Sequence, residues 1–200
     1  MSWRKSKYSK KRSREIGPLR IASPFMEWAV RALYLFALSI LSIAYALAWF
    51  QIPIATHFNW PSSFVFHLAT AGISVLISFF ANLSVLFYFI GTGVWMKDRA
   101  KEILKQDRSK AQQIWAIYEK SNKLKAKAFP FATFSIFFGI LTFVMGGAFQ
   151  VGAVPSWLHP TLATLLCLTG WIGIKFVFGA MRENLENLNK CSELLDDKLD

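Results

Sequence analysis

An all-α integral membrane protein, a four-transmembrane-helix bundle built of two helical hairpins with cytoplasmic helical extensions, is the fold class this sequence predicts, and three observations predict it. Hydrophobic residues make up 54% of the 200-residue chain and gather into long runs without charge, where a soluble domain would spread about 45–50% through amphipathic patterns. The seven prolines, Pro18, Pro24, Pro53, Pro61, Pro130, Pro155 and Pro160, fall in tails, loops or helix starts and leave the apolar runs whole. The 23 basic residues are segregated, with none in either stretch expected to face outward.

Residues 1–22 are a basic cytoplasmic tail, with Arg4, Lys5, Lys7, Lys10, Lys11, Arg12, Arg14 and Arg20 against Glu15 alone. Next to a membrane span, such a tail is expected to meet anionic lipid headgroups rather than nucleic acid, despite a net charge of +11. Residues 23–96 form the first transmembrane hairpin. Its first span, residues 32–50, follows Glu27 and Arg31, which lie four apart on one helix face and are expected to pair at the interface. A charge inside the membrane is expensive, so this escapable pair is favoured over a buried ion site. No cleavable leader is expected, because the first apolar run is too long and no small-residue cleavage site follows it.

An uncharged outer loop at residues 51–61 carries Pro53, His57, Trp60 and Pro61. The second apolar run, residues 64–96, would reach about 50 Å as a helix against a hydrocarbon core of about 30 Å, so it must tilt or emerge at one end. Residues 97–128 form a basic cytoplasmic helix, ten basic residues against four acidic, expected to continue the second span before turning back. Leu104, Ala111 and Tyr118 recur there at heptad spacing, beside Ile103, Ile114 and Trp115.

Residues 129–180 form the second transmembrane hairpin. Pro130 is expected to open its first span, where a missing N–H costs nothing, and a short outer loop at residues 150–158 leads to the last span, ending near Phe178. Residues 181–200 form an acidic amphipathic helix with Met181, Leu185, Leu188, Leu195 and Leu199 on one side. Its three basic and six acidic residues complement the basic segment, which predicts a coiled-coil-like stalk below the membrane. Of the two cysteines, Cys167 is expected to be an apolar filler and Cys191 an exposed, reduced thiol; their spacing suits neither a disulfide frame nor a zinc site.

The positive-inside rule places both termini inside, with the chain multi-pass in a cell inner (plasma) membrane. Trp28 and Trp95 mark the inner interface; Trp49, Trp60 and Trp157 mark the outer one. Small residues predict where helices approach: Ser74, Ser78 and Asn82, with His67 and Ala71, on the second span; Ala132, Ser135, Gly139, Thr142 and Gly146 on the third; Gly170 and Gly173, with Ala163, on the fourth. Asn82 is expected to hydrogen-bond across the bundle. The two halves share a loose pattern of an uncharged outer loop with Trp, His and Pro, which points to a duplication.

No catalytic constellation is recognisable, because the outer side has no carboxylate to orient or relay a proton. The one chemical signal is the histidines. His57, His67 and His159 all fall on the outer side, where neutral imidazole is a metal ligand. His67 and His159 start the second and fourth spans, and two such histidines are able to hold haem b or a quinone head. Phe64, Phe66, Gly146, Gly147 and Ala163 would line the slot, but no Arg or Lys stands near to pair haem propionates. The reading ranked first is therefore an accessory or structural subunit of a larger inner-membrane complex. It acts by helix packing and by binding other membrane-protein subunits or a second copy of itself. An electron-transfer subunit and a small transporter or channel subunit follow, the latter resting on Asn82, Ser74, Ser78 and Thr142.

Overall fold

A computed structural model describes residues 24–58 and 62–196, with side chains for residues 25–48 and 67–195. They form four helices: α1 (Pro24–Phe58), α2 (Ser62–Ile103), α3 (Arg108–Gln150) and α4 (Leu158–Asp196). Each has a stretch long and apolar enough to cross a membrane. Only 22–39% of those apolar stretches is buried inside the protein, so most of their side chains point outward. Phe36, Ile43, Phe80, Phe87, Phe137, Phe143 and Trp171 are more than half exposed, an apolar surface far beyond what a soluble monomer presents.

The chain runs up and down around a ring in which α1 packs on α2, α2 on α3, α3 on α4, and α1 closes against α4. The buried positions explain why it does so. On α3 they are Ala111, Ile114, Ser121, Leu124, Ala128, Ala132, Ser135, Gly139 and Thr142. On α4 they include Leu166, Gly170, Gly173, Val177, Met181, Asn184, Leu188 and Cys191. Steps of three and four hold one seam toward the neighbours over the whole helix, as in left-handed coiled coils.

Two apolar clusters divide the length. One draws on all four helices, from Val30, Tyr34 and Leu38 to Val85, Phe89, Ala132, Leu166 and Val177. The other comprises Met96, Ala100, Ile103, Ala111, Ile114, Leu188 and Cys191, all from α2, α3 and α4. Among the described residues, where α1 begins at Pro24, the four-helix bundle continues as a stalk of α2, α3 and α4. The charge-free run on α2 is longer than a bilayer for this reason: its last turns, through Met96, belong to the stalk core. Beyond the ring contact of Phe89 with Phe129 (centroids 6.3 Å apart), the stalk extends about 20–30 Å at about 1.5 Å per residue.

Local chemistry sets the reversals. The Ile103 carbonyl accepts from the N–H groups of both Gln106 and Asp107 at 2.8 Å, ending α2. Asp107 then caps α3, its carboxylate accepting from the Lys110 N–H at 3.0 Å. At the far end of α3 Gly152 takes φ +70°, with Gly152 N–H bonded to Phe149 O and Ala153 N–H to Ala148 O. That is the Schellman closure, which favours glycine at its left-handed residue. Pro160 occupies the first turn of α4, where no donor is lost.

Several expectations are corrected. Residues 97–128 are not one helix: the chain reverses at residues 104–107, and Leu104 is half exposed at that tip. The basic segment is thus a hairpin. Pro130 does not open a helix but lies inside α3; the carbonyl deprived of its donor belongs to Ala126, on an exposed face. Helix α1 runs through Pro53 to Phe58, shortening the first outer loop. Cys191 is fully buried in the stalk core rather than exposed, because it continues the α4 seam three residues after Leu188.

Candidate functional site: a polar column inside the bundle

Antiparallel packing brings particular residues to one level. A Cβ on Gly139 would lie 3.7 Å from Val75 and 3.9 Å from Leu166, so these three share a layer. Two turns outward on each helix, the corresponding layer holds Leu68, Gly146 and His159. The contact bears this out, since a Cβ on Gly146 would lie 2.9 Å from the His159 ring. Gly146 is therefore the gap into which the imidazole fits. His159 Nδ1 lies 3.0 Å from the Thr142 carbonyl. A carbonyl only accepts, so Nδ1 carries a proton, and in the neutral ring the lone pair is on Nε2. His67 is next to this layer on the inward stripe of α2, within electrostatic reach of His159, and its Nδ1 is buried without a hydrogen-bond partner.

Further in, Thr142 Oγ1, Ser135 Oγ and Asn82 Oδ1 are likewise buried and unpartnered. Asn82 and Ser135 are each 3% exposed. Both line a central cleft with Tyr34, Ser78, Leu38, Leu41, Leu166 and Gly170, too narrow to admit water. Ser135 is near enough to the Tyr34 hydroxyl to interact with it, yet outside hydrogen-bond geometry. Asn82 does not bridge helices as expected. Its amide donates to Ser78 O at 2.8 Å, one turn back on its own helix, which leaves Oδ1 buried without a partner. Ser74, fully buried, also bonds back, to Ala71 O at 2.8 Å.

At the inner end Glu27 and Arg31 form an ion pair, as their spacing predicts. Arg31 also donates to Phe178 O at 2.9 Å and stands over the Phe178 ring, 5.3 Å from its centroid. The α1–α4 seam continues outward with Tyr34 donating to Gly170 O (3.4 Å), Trp171 to Ser42 (3.1 Å), and Tyr45 paired with Thr164 (2.8 Å). Gly173 gives Tyr34 its room, since a Cβ there would lie 2.8 Å from the phenol oxygen.

Where bundle becomes stalk, Asn184 ties three helices together. Its amide donates to Thr92 on α2 at 3.2 Å, and its carbonyl accepts from Ser121 on α3. Thr92 passes its own proton to Tyr88 O at 2.8 Å, and Tyr88 donates to Met181 O at 3.3 Å. All four side chains are 4% exposed or less. Sequence reasoning missed this knot. The signal was the seam register, in which 181, 184, 188 and 191 step by three and four; residue 185, picked instead for its apolarity, is half-buried.

The remaining site residues fall as follows. Ala132, Gly139, Gly170 and Gly173 sit in the interior, and Gly146 is half-buried against His159. The side chain of His57, with those of Phe64 and Phe66, lies outside the described residues. Among the described residues no three His, Cys, Asp or Glu side chains cluster within reach of one metal ion. Among the described residues at this end, α3 packs against His159 on one side and, through Phe143 (3.8 Å from a Cβ on Gly72), against α2 on the other. No protein family, curated protein or solved structure matches the chain.

Proposed function

We propose that this protein is an accessory, structural subunit of a larger inner-membrane assembly, acting through packing and binding. In this reading the four helices cross the membrane with both termini inside, and the stalk is the docking arm. The layer from His67 and Gly146 to Phe89 and Phe129 supports the membrane placement. Gly146 and Phe129 are about 26 Å apart along α3, close to a hydrocarbon core of about 30 Å. Lys97, Lys127 and Lys175 are exposed toward the inner end of this layer, as the positive-inside rule requires.

One observation carries the binding role. The stalk seam is continuous with the bundle seam and is held at the junction by the Asn184 knot, so the arm is a rigid projection rather than a loose hairpin. Its outer faces remain charged, with Lys101, Lys105, Lys120 and Lys123 on the basic hairpin and Glu183, Glu186 and Glu193 on α4 all exposed. Membrane-inner interfaces of this kind recognise partners by charge and register. An electron-transfer role ranks lower, because the His159 ring is packed into the gap at Gly146 on α3.

The test is the state of the protein after mild detergent extraction, with a photo-crosslinking side chain at exposed Glu119 or, as a control, at outward-facing Phe137. A stoichiometric co-purifying protein or a second copy, crosslinked from Glu119, is the expected result. A lone monomer without a Glu119 adduct would overturn the proposal.

A further inference from the structure

The orphaned polar atoms of the bundle are not scattered. Five of them fall at successive levels of the bundle: His67 Nδ1 near the Gly146–His159 layer, Thr142 Oγ1 about 6 Å further along α3, Ser135 Oγ about 10 Å beyond that, Asn82 Oδ1 on the same central cleft as Ser135, and Arg31 Nε near Phe178; a sixth, Trp95 Nε1, belongs to the stalk. They come from α1, α2 and α3, and Asn82 and Ser135 line the central cleft together. Buried polar groups in native proteins are nearly always satisfied, and each exception needs a cause. Helix adhesion is not that cause here. An adhesive Asn would spend both ends of its amide on neighbouring helices, as Asn184 does. Asn82 instead turns its donor back to Ser78 and leaves its acceptor buried without a partner.

From this column we infer that the bundle axis is a proton path between the His67–His159 mouth and the Glu27–Arg31 pair, with Thr142, Ser135 and Asn82 along it. This rests on the membrane placement proposed above but not on the docking role. The chemistry at each station suits a proton and little else. Hydroxyls accept on one side and donate on the other, so Thr142 and Ser135 relay; the Asn82 oxygen only accepts and therefore orients. At the mouth, the neutral His159 ring has its lone pair on Nε2, because Nδ1–H is held by the Thr142 carbonyl. At the other end the Glu27 carboxylate, 8% exposed, is the acceptor.

Each relay group takes one proton and gives up one, so a single proton crosses and no other bond is made or lost. The central cleft has no charged residue in its lining, which includes Leu38, Leu41 and Leu166, and it is narrower than a water. A hydrated alkali cation is excluded there. A proton needs only a transient single file of water when those leucines part.

The experiment uses the purified full-length protein in phosphatidylethanolamine–phosphatidylglycerol vesicles with a trapped pH dye and a valinomycin-set potassium potential. Proton flux well above that of protein-free vesicles is expected, reduced at least tenfold in Asn82→Leu and in Ser135→Ala. It should be unchanged in Thr169→Val, which alters an exposed hydroxyl on α4. Sodium flux should stay at background. Ser135→Ala removes one oxygen and keeps the shape, so it carries the test if Asn82→Leu does not fold. Proton flux no greater than in protein-free vesicles overturns the inference, as does wild-type flux in Ser135→Ala or sodium passing as readily as protons. None of these results bears on the docking arm, since no partner is present.

Discussion

Asn184 and Asn82 are the same amide in two settings, and their difference is the clearest case of residue chemistry decided by packing. Asn184 satisfies Thr92 and Ser121 at once. Removing it in Asn184→Ala strips two hydrogen bonds and leaves buried hydroxyls behind, a loss of about 2 kcal/mol. A fall in the thermal midpoint in detergent checks this. A glycine pair on α4 gives a sharper contrast. A Cβ on Gly173 would meet the Tyr34 oxygen at 2.8 Å and Phe131 Cβ at 3.3 Å, whereas Gly179 has nothing within 4 Å. Gly173→Ala is expected to cost about 1–3 kcal/mol by overpacking. Gly179→Ala should be neutral or stabilising by about 0.5–1 kcal/mol, since alanine is the better helix former. Equal midpoints for the two variants would contradict the α1–α4 contact.

At the scale of elements, the stalk is testable through Cys191. Burial pushes its thiol up to about 11 from 9.0, with Arg99 acting weakly the other way. A raised folded pKa means the neutral thiol stabilises the folded stalk below pH 9, and that contribution is lost between about pH 9 and 11. The alkylation rate of Cys191 should therefore keep climbing through that window. A cysteine placed at exposed Gln113 should level off near pH 9, and Leu188→Asp, which opens the core, should abolish the difference. Helix α3 offers a second measurement. Replacing Pro130 by Ala restores a donor to the Ala126 carbonyl and should raise the thermal midpoint. The interior position of Pro130 was not legible locally, because a proline after a polar stretch reads as a helix start; the seam that continues through Ala128 and Ala132 overrides it.

Charge is segregated along the whole molecule, and reporter fusions check the proposed orientation, with the basic side inside. Fusions at Asn59 and Ser156 should read outside and those at Lys110 and Asp200 inside; the inverse pattern would reverse both the arm and the proposed path. At this scale the complementarity of basic hairpin and acidic helix is only part of what joins them. The ion pairs Arg99–Glu102 and Arg182–Glu186 each lie within one helix. The helices meet instead through Met96, Ile114, Leu188 and Cys191. Exposed pairs are worth little, while a continuous apolar seam is worth its area.

Four long apolar runs, their order and the segregation of charge follow from composition along the chain, because these are local quantities that each segment carries alone. The small-residue stripes were legible for a related reason: helical periodicity puts Ser74, Ser78 and Asn82 on one face whatever lies opposite. What lies opposite is not local. That Ser121 meets Asn184 across 63 residues, that Gly146 receives the His159 ring, and that Arg31 reaches Phe178 depend on the register between antiparallel helices. Turn lengths and matched seams decide that register together. The same register separates the stalk from the bundle, because only the packed structure shows which turns of α2 have α1 beside them among the described residues.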